Sequence, residues 1–254
     1  MDVEQNEELQ LHGGKFYTDS AEYWKKIPPT INGMLGGFGF ITKTDIEGSA
    51  LFLNSLLELP NPPARKYALD CGAGIGRISK SLLTKYFTNV DLVEQNPRFL
   101  QEARVLMQIC SSRLGILYPL GLQDFTPDVA KYDVIWCQWV LGYLQNDDLV
   151  NFFKRCLAGL KPNGLLVIKE NVTTSSNIEV DTKDSSITRP LDNYRHIFEK
   201  AGFTCIKEQQ QTRLPRGLYP VYMFALRPVR PVQSSRISEI DTSKTSNNEL
   251  DFTF

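Results

Sequence analysis

The stretch ALDCGAGIGRISK (68–80) decides the fold, and within it the core is Asp70-Cys71-Gly72-Ala73-Gly74-Ile75-Gly76-Arg77. A short apolar run, YALDC (67–71), ends in glycines at alternate positions. Ile75, Ile78, Leu82, Leu83 and Phe87 then recur at the spacing of one helix face. A strand that passes through glycines into a helix can turn tightly and bring its backbone close to a ligand. A dinucleotide fingerprint would carry its third glycine one residue beyond Gly76, so this loop belongs to a different class of site.

The same alternation extends outward. NVDLVE (89–94) reads as a second strand and ends on a carboxylate, Glu94, which can accept both hydroxyls of a ribose. A helix is expected from Pro97 to about Ile109, with proline in its first turn. Strands follow around Ile116–Leu120 and at YDVIWCQWV (132–140), then an amphipathic helix at 147–160, a turn at LKPNG (160–164) and a buried strand at LLVIKEN (165–171). A helix over 191–201, closed by Gly202, precedes two last strands in TCIKEQQQ and YPVYMFALR. Repeated β–α alternation implies a doubly wound, mostly parallel sheet with ligands beyond the C-terminal strand ends. Residues 1–14 and 229–254 are polar and lack aliphatic clusters, so both are expected to be disordered tails around a domain at 15–228.

Composition narrows the function. A formal net charge of −1 provides no basic field for nucleic acid or membrane. No apolar run approaches the ~20 residues of a membrane span. The five cysteines are odd in number and without CxxC spacing, which suits reduced thiols in the cytoplasm and/or nucleus. The two histidines, His12 and His196, are far apart, so no metal site is expected.

DxGxGxG at 70–76 resembles the cofactor loop of seven-strand S-adenosylmethionine-dependent methyltransferases. A closer likeness is collinear along the chain. FYTDSAEYWKKIPPTINGMLGGFGFI (16–41), GLQDFTP (121–127), YDVIWCQWVLGYL (132–144), NGLLVIKEN (163–171) and DSSITR (184–189) resemble the protein N-terminal methyltransferases. These enzymes methylate the α-amine of Xaa-Pro-Lys/Arg termini after initiator methionine removal. The resemblance implies a Rossmann-like class I α/β fold of seven strands with an N-terminal helical extension, and S-adenosyl-L-methionine as cofactor. Its cofactor residues map onto Gly72, Gly74, Gly76, Arg77, Glu94, Leu122, Gln123, Gln138 and Trp24, with Arg77 on the methionyl carboxylate. Its peptide site maps onto Trp139, Asp181, Asp184 and Ser186, with Leu35, Ile41, Leu218 and Tyr219 as walls. Asn171, Asp184 and Tyr143 stand at the catalytic positions. The expected partners are N-terminal segments of other proteins.

The chain departs from that family pattern at three places. Glu94 and Glu170 stand where the family has aspartate, and Tyr143 stands where it has histidine in the WVxGHL segment. With no imidazole nearby, Asp184 is the candidate proton acceptor. Two alternatives remain at this point: a small-molecule methyltransferase, and a non-catalytic adaptor that binds proline-containing termini.

Overall fold

The computed structural model describes residues 13–229. The expected tails lie almost wholly outside these residues. Three helices precede the first strand: α1 (Gly13–Lys26), the single turn α2 (Ile31–Met34) and α3 (Thr42–Leu57). They form the N-terminal extension. The strands of the central sheet are β1 (Tyr67–Cys71), β2 (Asn89–Val93), β3 (Leu114–Tyr118), β4 (Tyr132–Gln138), β5 (Leu160–Thr173), β8 (Phe203–Gln210) and β9 (Val221–Pro228). Their spatial order is β3-β2-β1-β4-β5-β9-β8. The β1–β2, β2–β3, β1–β4 and β4–β5 pairs are parallel, and β9 runs antiparallel to both β5 and β8.

Helices cover both faces, as the alternation requires. On one face α6 (Asn146–Gly159) and α7 (Leu191–Lys200) pack Phe152, Phe153, Tyr194 and Phe198 against Ile135, Ile168 and Phe224. On the other, α3 and α5 (Pro97–Leu106), with the short α4 (Thr84–Tyr86) between them in sequence, pack Phe52, Leu56, Leu100 and Ala103 against Val90, Val134 and Val167. Every residue of β4 is buried, which explains its continuous apolar reading rather than an alternating one. Among the described residues no helix is long and apolar enough to cross a membrane.

Three local expectations change. The helix after Pro97 stops at Leu106, and a 3-10 turn over Gln108–Arg113 follows, with Cys110 outside helical geometry. The expected turn at 160–164 is drawn into β5 as an irregular stretch: Tyr132 pairs with Leu160, the register shifts, and Val134 pairs with Leu165. Asn163 takes a left-handed φ of 66° there. The polar segment before residue 190 is a β-hairpin, with β6 (Glu179–Asp181) antiparallel to β7 (Ser186–Pro190) and Asp181 opposite Ser186. β7 joins the end of β5 at Val172 and Thr173, so the hairpin stands beyond the C-terminal edge of the sheet.

Candidate active site

Two cavities open at that edge and share a wall. The first is a space of about 990 Å³ including its mouth, lined by Gly72, Gly74, Arg77, Glu94, Leu122, Gln123, Gln138 and Trp24 among others. The second is a groove lined by Leu35, Ile41, Asn171, Asp181, Asp184, Ser186, Leu218 and Tyr219. Trp24, Met34, Trp139 and Tyr143 line both. The candidate cofactor and peptide residues are thus brought together in two adjoining compartments. Gly76 is the exception, since it lines neither. Its φ is 76°, and a Cβ there would meet Ala103 at 3.2 Å, so this glycine lets the loop turn and pack on α5.

The glycine loop is fixed from below. Asp70 Oδ2 accepts from the Ser79 backbone N–H at 3.0 Å and the Ser79 hydroxyl at 2.6 Å. Burial pushes the Asp70 carboxyl up to about 6. Gly72 has a φ of 68°, and a Cβ there would lie 2.3 Å from Val140 Cγ2. Glu94 accepts from the backbone of Gly74 at 3.0 Å and of Asn96 at 2.8 Å. The loop and the end of β2 are therefore one unit. Burial pushes Glu94 up to about 7.

α1 closes the cavity. Tyr17, Ser20 and Trp24 line it from one helix face. The Tyr17 hydroxyl donates to Asp148 and accepts from the Gln145 backbone, which ties α1 to the start of α6. Trp24 packs edge-on against Phe99 and Tyr143 with centroids 6.3 and 5.8 Å apart.

At the shared wall, Trp139 takes a φ of 53°, a left-handed geometry that costs a non-glycine residue about 1–3 kcal/mol. Its surroundings enforce it. Its N–H donates to the Lys169 carbonyl at 3.0 Å. The N–H groups of Val140 and Leu141 both donate to Glu170 Oε1, at 2.7 and 2.8 Å. Burial pushes Glu170 up to about 7. Arg189 donates to the carbonyls of Leu141 and Leu144. Tyr143 is thereby aimed at Asp184, to which its hydroxyl donates at 2.8 Å. The other Asp184 oxygen accepts from the Ser186 N–H at 3.1 Å. Burial first, then the charge of Asp184, raises the Tyr143 phenol well above its usual value.

Sequence reasoning missed Asp45, Lys169, Tyr17, Ser20, Met34 and Glu179. Arg77 pairs with Asp45 at 2.6 Å, and Asp45 also takes hydrogen bonds from Gln138 and Lys169. Glu179 accepts from Thr173 and Tyr219, which bridges the hairpin to the segment before β9. The spacing of Tyr17, Ser20 and Trp24 is the one signal that was readable in advance.

This cavity suits a ligand with an amino acid at one end and a nucleoside at the other. Arg77 offers a cation, Glu94 a hydroxyl acceptor, and the buried Ser20 hydroxyl lines the cavity with no protein partner. Those features and the 3-2-1-4-5 parallel core define an S-adenosylmethionine-dependent methyltransferase. A family model described as AdoMet dependent proline di-methyltransferase matches residues 12–227, and the chain belongs to that family. It is 46% identical over 214 residues to the human N-terminal Xaa-Pro-Lys N-methyltransferase 1, spanning 84% of this chain and 96% of that one. It is 47% identical over 221 residues to the Drosophila melanogaster alpha N-terminal protein methyltransferase 1, spanning 85% and 77%. A solved Leishmania major SAM-dependent methyltransferase superposes with a TM-score of 0.78 at 39% identity, covering 84% of this chain and 83% of that one.

Proposed function

We propose that this chain methylates the α-amine of protein N-termini of the Xaa-Pro-Lys/Arg type, exposed once the initiator methionine is removed. The observation that carries this reading is the junction of the two cavities. A chain terminus lying in the groove would meet the cofactor cavity where Trp24, Met34, Trp139 and Tyr143 line both. S-adenosylmethionine, when bound, supplies an electrophilic methyl group. The protein's own tasks are to place the amine, exclude water and take a proton.

In this reading Arg77 holds the methionyl carboxylate, Glu94 the ribose, and Leu122 and Gln123 the adenine. The indole of Trp139 packs on the substrate proline, and Asn171 hydrogen-bonds the first carbonyl of the peptide. Asp181 and Ser186, opposite one another across the hairpin, receive the cation at position three. Leu35, Ile41, Leu218 and Tyr219 wall the groove. An α-amine has a pKa of about 7.7–8.0, so only a modest base is needed, and Asp184 supplies it while Tyr143 orients it.

The acidic groove, with Glu179 beside Asp181 and Asp184, favours a basic peptide over a nucleic acid. A small-molecule substrate would leave the hairpin half of the groove unused. A cytoplasmic or nuclear location belongs to the same reading and rests on the odd number of cysteines without CxxC spacing in the sequence. The test is mass spectrometry of an Xaa-Pro-Lys peptide and its N-acetylated form, each incubated with protein and S-adenosylmethionine. Mass steps of one methyl on the free peptide alone are expected. Methylation of the acetylated peptide would place the reaction on a side chain and overturn the reading.

A further inference from the structure

Behind the cofactor cavity lies a buried cluster of two cations and one carboxylate. Asp45 and Lys169 are 0% exposed and Arg77 is 6% exposed. Asp45 Oδ2 takes the Arg77 Nη1 at 2.6 Å, and Asp45 Oδ1 takes the Gln138 amide at 2.8 Å and the Lys169 ammonium at 2.5 Å. The same ammonium donates to the Asp45 carbonyl at 3.0 Å, to Ser49 Oγ at 2.9 Å and to Gln211 Oε1 at 2.9 Å. An ammonium has three hydrogens, so Lys169 is saturated by protein and has no donor left for a ligand. Arg77, in contrast, lines the cavity and makes its one side-chain hydrogen bond to Asp45 among the described residues.

A buried lysine in such a place is costly. Moving an ammonium out of water carries a penalty of several kcal/mol, and an apolar residue of similar volume is often at least as stable. Stability alone therefore does not account for Lys169. Charge does. A lone Arg77–Asp45 pair would be neutral and would offer little attraction to an incoming anion. With Lys169 in contact, the trio carries a net +1. Asp70 also feels Arg77, but weakly, and its own hydrogen bonds go to Ser79. The Trp139 ring stabilises the excess positive charge on its face, with Lys169 Nζ 5.9 Å and Arg77 Cζ 5.7 Å from its centroid.

We propose that Lys169 is a positioning residue for the cofactor: it neutralises Asp45, so that Asp45 can orient the Arg77 guanidinium without cancelling its charge, and the surplus positive charge selects the carboxylate of the methionine end. This rests on the cavity being the S-adenosylmethionine site. Lys169 acts through Asp45 and touches no substrate, so the effect belongs to the carboxylate and not to the rest of the ligand.

The test is calorimetric titration of the full chain with S-adenosylmethionine and with its decarboxylated analogue, which differs only in lacking that carboxylate. Lys169→Met and Lys169→Gln both remove the charge; the second keeps a donor toward Asp45, and thermal melts report whether each variant folds. Both variants are expected to bind S-adenosylmethionine at least tenfold more weakly, while their affinity for the decarboxylated analogue stays within about threefold of wild type. Equal losses for the two ligands would make Lys169 a structural support only, and an unchanged affinity for S-adenosylmethionine would remove any role; either overturns the proposal. Failure of the wild-type protein to bind S-adenosylmethionine at all would instead remove the assignment of the cavity.

Discussion

Asp184 and Tyr143 share one hydrogen bond of 2.8 Å, and two near-isosteric substitutions separate their contributions. Tyr143→Phe removes only the hydroxyl, because the ring still packs edge-on against Trp24. A hydrogen bond to a charged group contributes about 1.5–3 kcal/mol, but its loss here is partly offset. Asp184 keeps the Ser186 N–H at 3.1 Å and its place on the groove wall. The net cost to kcat/KM should stay under about tenfold, or ~1.4 kcal/mol. Asp184→Asn keeps one oxygen for the Ser186 N–H and turns its NH2 toward the phenol, whose oxygen can accept from it, yet it takes no proton at neutral pH. Its cost should be about 100-fold or more, the range of general-base loss. Tyr143 cannot substitute as the base, because burial and the adjacent carboxylate push its phenol well above the usual range. The assay is initial methylation rates on an Xaa-Pro-Lys peptide, followed by mass spectrometry across pH. If Tyr143→Phe proves the more damaging change, the phenol is chemically essential and the division of roles is wrong.

Gly74→Val would put a branched side chain at a φ of 54°, with its Cβ 2.8 Å from Met34 Sδ; a folded variant that binds S-adenosylmethionine at least ~10-fold more weakly is expected, and unchanged affinity in a titration would count against the glycine loop as the cofactor cradle. Burial raises the Glu94 carboxyl from 4.5 to about 7, and the ionised form is the one that accepts both ribose hydroxyls. Affinity for the cofactor should therefore fall as pH drops through about 7, and Glu94→Gln should bind weakly with no such dependence; a wild-type affinity that is flat from pH 6 to 8 would refute this. An Xaa-Pro-Gln peptide should be used at least ~10-fold less well than Xaa-Pro-Lys, and Asp181→Asn should narrow that gap. Asp181 is exposed and, among the described residues, its side chain accepts from the Lys183 N–H alone, so the penalty is set at the lower end for charge pairs, and equal kcat/KM values for the two peptides would exclude this hairpin as the determinant.

The parts of the site that sequence made legible are those fixed by local grammar. The 70–77 loop, the acid at the end of β2 and the aromatic segment after β4 each follow a strand, and the doubly wound topology gathers strand ends at one edge. Asp45 and Lys169 were not legible for a physical reason. Asp45 sits in TKTDIEGSA, which reads as an ordinary helix start, and Lys169 interrupts the strand LLVIKEN. Their meaning arises only when α3 crosses β5 and two charges 124 residues apart in sequence meet at 2.5 Å. The hairpin was read as a loop because β6 has three residues and pairs only with β7, too short for any alternation to register. Gly76 continues the glycine pattern, and the structure adds a packing reason for it, a left-handed turn tight against α5.

Trp139 shows why these long-range contacts matter. A glycine at that position would relieve the left-handed strain, but it would remove one of the four side chains that line both the cofactor cavity and the groove. Keeping an indole there requires the backbone to be held from several directions. The Lys169 carbonyl fixes the Trp139 N–H, Glu170 fixes the next two, and Arg189 grips the carbonyls that follow. Glu170 does this with a single oxygen shared by two adjacent N–H groups. The same segment then delivers Tyr143 to Asp184. The placement of the two rings and the backbone strain are therefore one mechanical problem in this protein: the buried charges beneath the 139–144 segment hold the geometry of the half-buried aromatic rings that line both compartments.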